Sequence, residues 1–402
     1  MGTVSQLHER ARPPARLIQS DDEALEAARS LAADFARLAS DRDINRILPD
    51  DELEALSQSG LLGVSVPSEY EGLDISNAIL AEIIAILAQG DPSIAEISQS
   101  HFHVLEILRL ADNEEEKQIA FARALAGDRM AGAFSAPTAI GQETRLTADG
   151  AGYRLSGRQA HSTGILFADW IAVFARDPAD EQVLSLLPRR SEGVQLIDDW
   201  DGFGQRTNGG GTTILHNVYV DAEAVIRLDN GLKQPTTIGA VGQITRAGVD
   251  LGIARAAFAA TVDFVRSNAQ PRMDGGIRNA ADNPLTIARI GEIAVLIEAA
   301  AAMIERAGGK LDIAQINATE EHVIDAALSV VGASALAAEI AIEASTALFE
   351  LAGTSSTRIG LNLDRHWRNA RAHAAREPTS QKHHTVGNYH LNDIAPPKNE
   401  VP

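Results

Sequence analysis

The chain has 402 residues, room for more than one domain, and its 35 Lys+Arg against 55 Asp+Glu leave a formal charge of −20. That balance provides no basic face for phosphate neutralisation and argues against a nucleic-acid binder, while 45% hydrophobic and 22% charged residues exclude wholesale disorder. With 0 Cys, disulfides, thiolate nucleophiles and Cys-ligated metal or iron–sulfur centres are excluded.

The N-terminal stretch MGTVSQLHERARPPARL has no apolar core, so no secretory signal and a cytoplasmic location are expected. Residues 1–129 read as a helical domain. Ser20 with Glu23 forms a capping-box pattern, and Leu25, Ala28, Leu31, Phe35 and Leu38 recur at helical spacing. Further helices are expected from about Asp50 to a stop at Gly60, over Ala78–Leu87, over Ser93–Leu110, and from Asn113 to about Gly127.

The texture changes at Met130. Short, often alternating runs over 131–134, 144–147, 153–156, 170–174, 183–187, 194–197 and 212–220 are separated by Gly, Pro and Asn, so residues 130–235 read as a β barrel or sandwich. The run Asn208-Gly209-Gly210-Gly211 precedes a strand and reads as a hairpin turn, with a backbone anion nest as the sharper alternative. Residues 236–402 read as a C-terminal helical bundle, with long Ala-rich helices over 238–268, 284–308, 318–352 and 362–376 and then an extended tail. The longest apolar run, Ala326 to Ala338, is shorter than the ~20 residues of a membrane span and is read as a buried helix, so no membrane contact is expected.

Five of the 11 histidines (His366, His373, His383, His384, His390) fall in the final 37 residues. Their spacing does not suit one ion: His101 and His103 point apart on a helix, and His366 and His373 are two turns apart, so no metal is expected. Arg365, Arg368 and Arg371 recur every three residues. Such a face either binds phosphates or carboxylates or pairs with acidic neighbours.

The order helical, β, helical resembles the acyl-CoA dehydrogenase superfamily, an α+β fold with a C-terminal four-helix bundle. AFSAPTAIG (133–141), YRLSGRQAHSTG (153–164) and FELAGTSST (349–357) resemble that family's flavin-facing segments. FGQRT (203–207) with its following glycines, NPLTIARIG (283–291), LDRHWRNARAH (363–373) and VGNYHLN (386–392) are similar to the flavin-dependent monooxygenase branch, which includes dibenzothiophene monooxygenase and SfnB-type sulfur-acquisition oxidoreductases. The resemblance implies reduced flavin mononucleotide from a separate reductase, dioxygen, a small and often sulfur-containing substrate, and a homo-oligomer (tetramer or dimer).

By the same resemblance, Phe134 and Ser135 would lie along the flavin ring, Gln159, His161, Ser162 and Thr163 on the strand beside it, and Gly353, Thr354 and Ser355 in the glycine turn. Arg266 or Arg272 would hold the flavin phosphate of a neighbouring subunit, and His101 would stand on the helical wall over the ring. The branch usually reads H-x-x-H-D-P where this chain has His373-Ala-Ala-Arg376-Glu377-Pro378. His161 and His373 are thus candidate proton donors and Arg376 a stabiliser of an anion. Glu377 is the candidate base of the alternative, an FAD-dependent acyl-CoA dehydrogenase. A third alternative is a flavin-free scaffold or binding module. The leading expectation is a reduced-flavin monooxygenase whose water-shielded cleft lies between strand layer and terminal helices.

Overall fold

The computed structural model describes residues 14–133, 143–267 and 279–396. Six helices come first: α1 (Asp21–Ala36), α2 (Ala39–Asn45), α3 (Asp50–Ser59), α4 (Asn77–Gly90), α5 (Pro92–Leu108) and α6 (Glu114–Leu125). Four of the six, α1, α4, α5 and α6, start at a side-chain cap. Ser20 Oγ accepts the Glu23 N–H at 3.3 Å, and the Glu23 carboxylate accepts the Gln19 N–H at 2.9 Å. Asp91 caps α5 at the Ser93 N–H, with Pro92 at the first helical position, where its missing N–H costs nothing. Asn113 caps α6 ahead of three glutamates that suit the positive end of the helix.

The strands follow as β1 (Met130–Ala133), β2 (Arg145–Asp149), β3 (Gly152–Ser162), β4 (Trp170–Arg176), β5 (Gln182–Pro188), β6 (Val194–Ile197), β7 (Gly211–Asp221) and β8 (Val225–Arg227). Where the sequence suggests a barrel or sandwich, the strands form one sheet in the order β6-β7-β3-β2-β4-β5-β8, with β1 parallel to β4. Leu146, Leu155, Ile171, Val173, Val183, Leu215 and Val218 give it a core of its own. β8 escaped the sequence reading because three residues are too few to show alternation.

Helices α7 (Asp229–Lys233), α8 (Ile238–Ser267), α9 (Pro284–Ile316), α10 (Glu320–Ala352), α11 (Asp364–Ala374) and α12 (Thr379–Asn392) complete the chain. Among the described residues α10 alone is long and apolar enough to cross a membrane, but it packs against α8, α9, α11 and α12 within the C-terminal block. The expected extended tail is instead largely helix α12. It follows Pro378, packs on α10 and buries Lys382, whose Nζ donates to Ser334 Oγ on α10 at 2.7 Å.

Helix α8 joins the two helical blocks, packing on α4 and α5 as well as on α9, α10 and α11. The approach to α4 is backbone to backbone. A Cβ on Gly248 would lie 2.6 Å from the Ala81 carbonyl oxygen, and one on Gly252 would lie 2.3 Å from that of Ala85. Only glycine permits this contact. It fixes the height at which the polar residues of α8 face α5, α11 and α12.

Candidate functional site

Thr163, just past the end of β3, is where sheet, N-terminal helices and C-terminal helices meet. Arg376, after α11, donates from Nη2 to Thr163 Oγ1 at 2.7 Å and to Glu96 Oε1 of α5 at 2.7 Å. Glu96 is fully buried, and its other oxygen accepts Asn208 Nδ2 at 3.0 Å. A buried carboxylate is tolerated only when paired and hydrogen-bonded, and this one is both.

The Asn208–Gly211 run ends the long connection between the antiparallel strands β6 and β7 and is not a tight turn. Asn208 is wholly buried, its carbonyl and that of Gly209 accept the N–H groups of Gly164 and Leu166, and its Oδ1 accepts the Gly210 N–H. Gly209 sits at φ +57, and a Cβ there would be 2.2 Å from the Phe167 ring. Glycine lets this loop press flat on the 164–167 turn and aim Asn208 at Glu96.

His373 lies one turn before Arg376 and is buried. Its Nδ1 meets Asp250 Oδ1 of α8 at 2.6 Å. The carboxylate takes the Nδ1–H, which leaves Nε2 as the nitrogen able to exchange a proton with a bound molecule. Glu377 turns to α8 and α12: Gln243 Nε2 donates to its Oε1 at 3.2 Å, and Lys382 Nζ is 3.6 Å from its Oε2. Burial lowers the Lys382 pKa, and the Glu377 carboxylate opposes that shift. A cavity of about 310 Å³, lined by Gln243, Val331, Glu377, Lys382, His384 and Thr385 among others, opens beside this pair.

Arg246 stands between Gln243 and Asp250 on α8. Burial depresses its pKa, and Arg376 nearby adds to the effect. Ser162 Oγ, at the end of β3, is buried with no hydrogen-bond partner among the described residues.

The other expected residues divide. His101 does not present a free imidazole: Nε2 bonds the Leu62 carbonyl at 2.9 Å and Nδ1 accepts the Met130 N–H at 3.1 Å, so it ties α5 to its surroundings. Burial lowers its pKa to about 4. Gln159 is buried and donates to Thr144 Oγ1 at 2.7 Å. Arg266 is exposed in the last turn of α8, roughly 30 Å along the helix from Arg246. Gly353, Thr354 and Ser355 are exposed in the turn after α10, with Gly353 at φ +69. Phe134, Ser135 and Arg272, and the side chain of His161, lie outside the described residues.

Of the arginine face of α11, Arg368 is spent on acidic neighbours. Arg368 binds Asp43 and Asp364, and half-buried Arg365 donates to the Asn362 carbonyl. Sequence reasoning missed Glu96, Gln243, Arg246, Asp250 and Lys382, and read Asn208 only as part of a turn or nest. The available signal was charge inside apolar helices: Arg246 and Asp250 share one face of a helix buried along much of its length. No cluster of three or more His, Asp or Glu suited to a metal occurs among the described residues.

The chain is similar to known proteins along most of its length. Residues 19–128 match the acyl-CoA dehydrogenase N-terminal domain and residues 244–380 the acyl-CoA dehydrogenase C-terminal domain. A dibenzothiophene monooxygenase of Mycolicibacterium goodii is 28% identical over 391 residues, covering 92% of this chain and 94% of that protein. The probable FMNH2-dependent monooxygenase SfnC of Pseudomonas putida is 27% identical over 383 residues, covering 93% and 96%. The methanesulfinate monooxygenase MsuC of Pseudomonas fluorescens superposes with a TM-score of 0.87 at 28% identity, covering 93% of this chain and 98% of that one. With matches in both helical blocks and a shared fold along nearly its whole length, the chain belongs to the acyl-CoA dehydrogenase superfamily.

Proposed function

We propose that this chain is a flavin-dependent monooxygenase that takes reduced FMN from a separate reductase and uses dioxygen to oxygenate a small sulfur-containing molecule. The carrying observation is the meeting of the His373–Asp250 dyad and the Arg376–Glu96 pair beside Thr163, in a chain whose full-length relatives are named monooxygenases.

The residues fit a flavin. Ser162 offers a buried hydroxyl without a partner next to Thr163, and such a hydroxyl suits the carbonyl and ring-nitrogen acceptors of an isoalloxazine. Ser162 and Thr163 would hold the ring, with Gln159 behind them on β3. Reduced flavin, when bound, supplies the electrons that activate dioxygen. The chain's part is positioning and proton control. Asp250 fixes the His373 tautomer, and Nε2 holds the proton to be given or taken. Arg376 keeps its proton and stabilises negative charge. The Arg376–Glu96–Asn208 link ties the three layers together at this junction.

The dehydrogenase alternative needs Glu377 as a base on substrate carbon. Its Oε1 accepts from Gln243 and its Oε2 faces Lys382, so the geometry favours a structural anion there. We also read the protein as a homo-oligomer, in which Arg266 and the Gly353–Ser355 turn meet a neighbouring subunit's flavin. Leu285, Val295 and Ile316 on α9 are apolar side chains 76%, 68% and 88% exposed.

The test is anaerobic. Reduced FMN is mixed with the protein and a candidate sulfur substrate, then isotope-labelled dioxygen is admitted. Label in the product, with flavin reoxidation slower than in free solution, is expected. Reoxidation at the free rate without labelled product would remove the monooxygenase reading, and no flavin bound in either redox state would establish the scaffold.

A further inference from the structure

Three carboxylates, Glu96, Asp250 and Glu377, act electrostatically on Arg246, and each already has a donor. Glu96 takes Arg376 and Asn208, Asp250 takes His373, and Glu377 takes Gln243 and faces Lys382. The Arg246 guanidinium is left over. Among the described residues it makes no hydrogen bond or ion pair, and its Nε is buried without an acceptor. The side chain is only partly exposed, an unpaired cation so placed destabilises a fold, and guanidinium is too basic to escape by losing its proton. A second cation, Arg376, stands close enough to disfavour its charge further. Such an arrangement persists where an anion is to be received.

The relatives leave the substrate class open, since one is named for dibenzothiophene, a neutral aromatic, and another for methanesulfinate, a small anion. The residues of this chain choose between them. We infer that Arg246, with Arg376 nearby, forms an anion-binding site and that the substrate is a small organic oxyanion of the sulfinate, sulfonate or carboxylate class. A guanidinium fork matches two oxygens of such a group. In a chain of net charge −20, a local cation is also needed to hold any anion. Calling the anion the substrate rests on the monooxygenase reading, whereas the anion site itself does not.

The experiment is calorimetric titration of the flavin-free, full-length protein with ethanesulfinate, ethanesulfonate and propionate, and with diethyl sulfone as a neutral control. At least one anion is expected to bind, more weakly as salt is raised, while the sulfone does not compete. Arg246→Gln weakens the anion about tenfold or more, as loss of a charge-assisted fork requires, and Arg246→Lys weakens it less. The melting temperature of Arg246→Gln is expected to equal or exceed that of the parent, which a merely structural arginine would not give. Anion binding unchanged in Arg246→Gln, no anion binding to the parent protein, or equal competition by the sulfone overturns the inference. Should Arg246→Gln fail to fold, Arg246→Lys and the salt dependence decide. FMN binding is measured separately by fluorescence: loss of FMN with anion binding intact sinks the monooxygenase reading and leaves the anion site standing.

Discussion

Arg376 reaches Glu96 at 2.7 Å, joining the end of α11 to the second turn of α5 across the edge of the sheet. The two partners are not equally exposed: Glu96 is 0% exposed, whereas the Arg376 side chain is 30% exposed. Removal of the arginine strands a buried charge, while removal of the carboxylate leaves a cation with access to water. Arg376→Met is therefore expected to cost about 3 kcal/mol and Glu96→Gln about 1 kcal/mol, with the double variant less destabilised than the sum. Urea denaturation of the four proteins of the cycle measures this. Equal costs for the two single variants would show that the link is solvated.

The His373–Asp250 dyad yields a prediction about rate. Asp250→Asn keeps the shape but turns an acceptor into a possible donor toward Nδ1, so the imidazole loses its fixed tautomer. Single-turnover oxygenation with pre-reduced FMN is expected to fall about 10- to 100-fold, and its pH profile to move. FMN affinity stays close to that of the parent. A variant as fast as the parent would relieve His373 of proton transfer.

Much of the architecture is legible in the sequence because punctuation and periodicity are local. Ser20, Asn113 and Gly60 mark helix ends by chemistry acting within four residues, and the alternating runs mark most of the strands. What stayed hidden depends on distant partners. Helix α12 reads TSQKHHTVGNYHLN without an apolar stripe, and its helical state owes more to packing on α10 than to its own pattern. Asn208 looks like a turn residue until Glu96, 112 positions away, is placed opposite it. In the sequence nothing local separates Arg246 and Asp250 from the solvated polar positions of a long helix. Only the close α4–α8 packing, with α5 and α11 against other faces of α8, shows that this face is turned inward.

Three imidazoles set the response to acid. Burial holds His101 and His103 at about 4 and His366 at about 3, below the ~6.5 of a free imidazole. The unfolded chain therefore binds protons that the native chain refuses, so stability rises with pH in this window. Their contribution is fully present above about pH 6.5 and is lost as pH falls toward 4, at about 1.4 kcal/mol per pH unit for each imidazole. Thermal melts from neutral pH downward are expected to show a steep decline, and His366→Met a shallower one. A melting temperature flat from pH 6.5 to 5 would contradict the buried neutral state.

Gly209→Ala tests the loop behind Glu96. At φ +57 and 2.2 Å from Phe167, a methyl group has neither backbone freedom nor space. The expected loss is about 2 kcal/mol or more. As the loop shifts, Asn208 leaves Glu96, so oxygenation should fall further than Asn208→Ala alone would make it. Denaturation and turnover measured on both variants check this; a Gly209→Ala protein as stable as the parent would mean that the loop is not seated as described.

Ser162 separates a site built for a ligand from a packing accident. Its buried hydroxyl has no partner among the described residues, so the flavin-free protein already bears the cost of desolvating it. Ser162→Ala removes that cost and should leave the melting temperature of the flavin-free protein unchanged or slightly raised. If the hydroxyl donates to the bound ring, the same variant loses one hydrogen bond in the complex, about 1 kcal/mol or roughly fivefold in FMN affinity. The two measurements move in opposite directions only if Ser162 faces the flavin. A parallel loss of stability and affinity would make it a structural residue, and no change in affinity would move the ring elsewhere along β3.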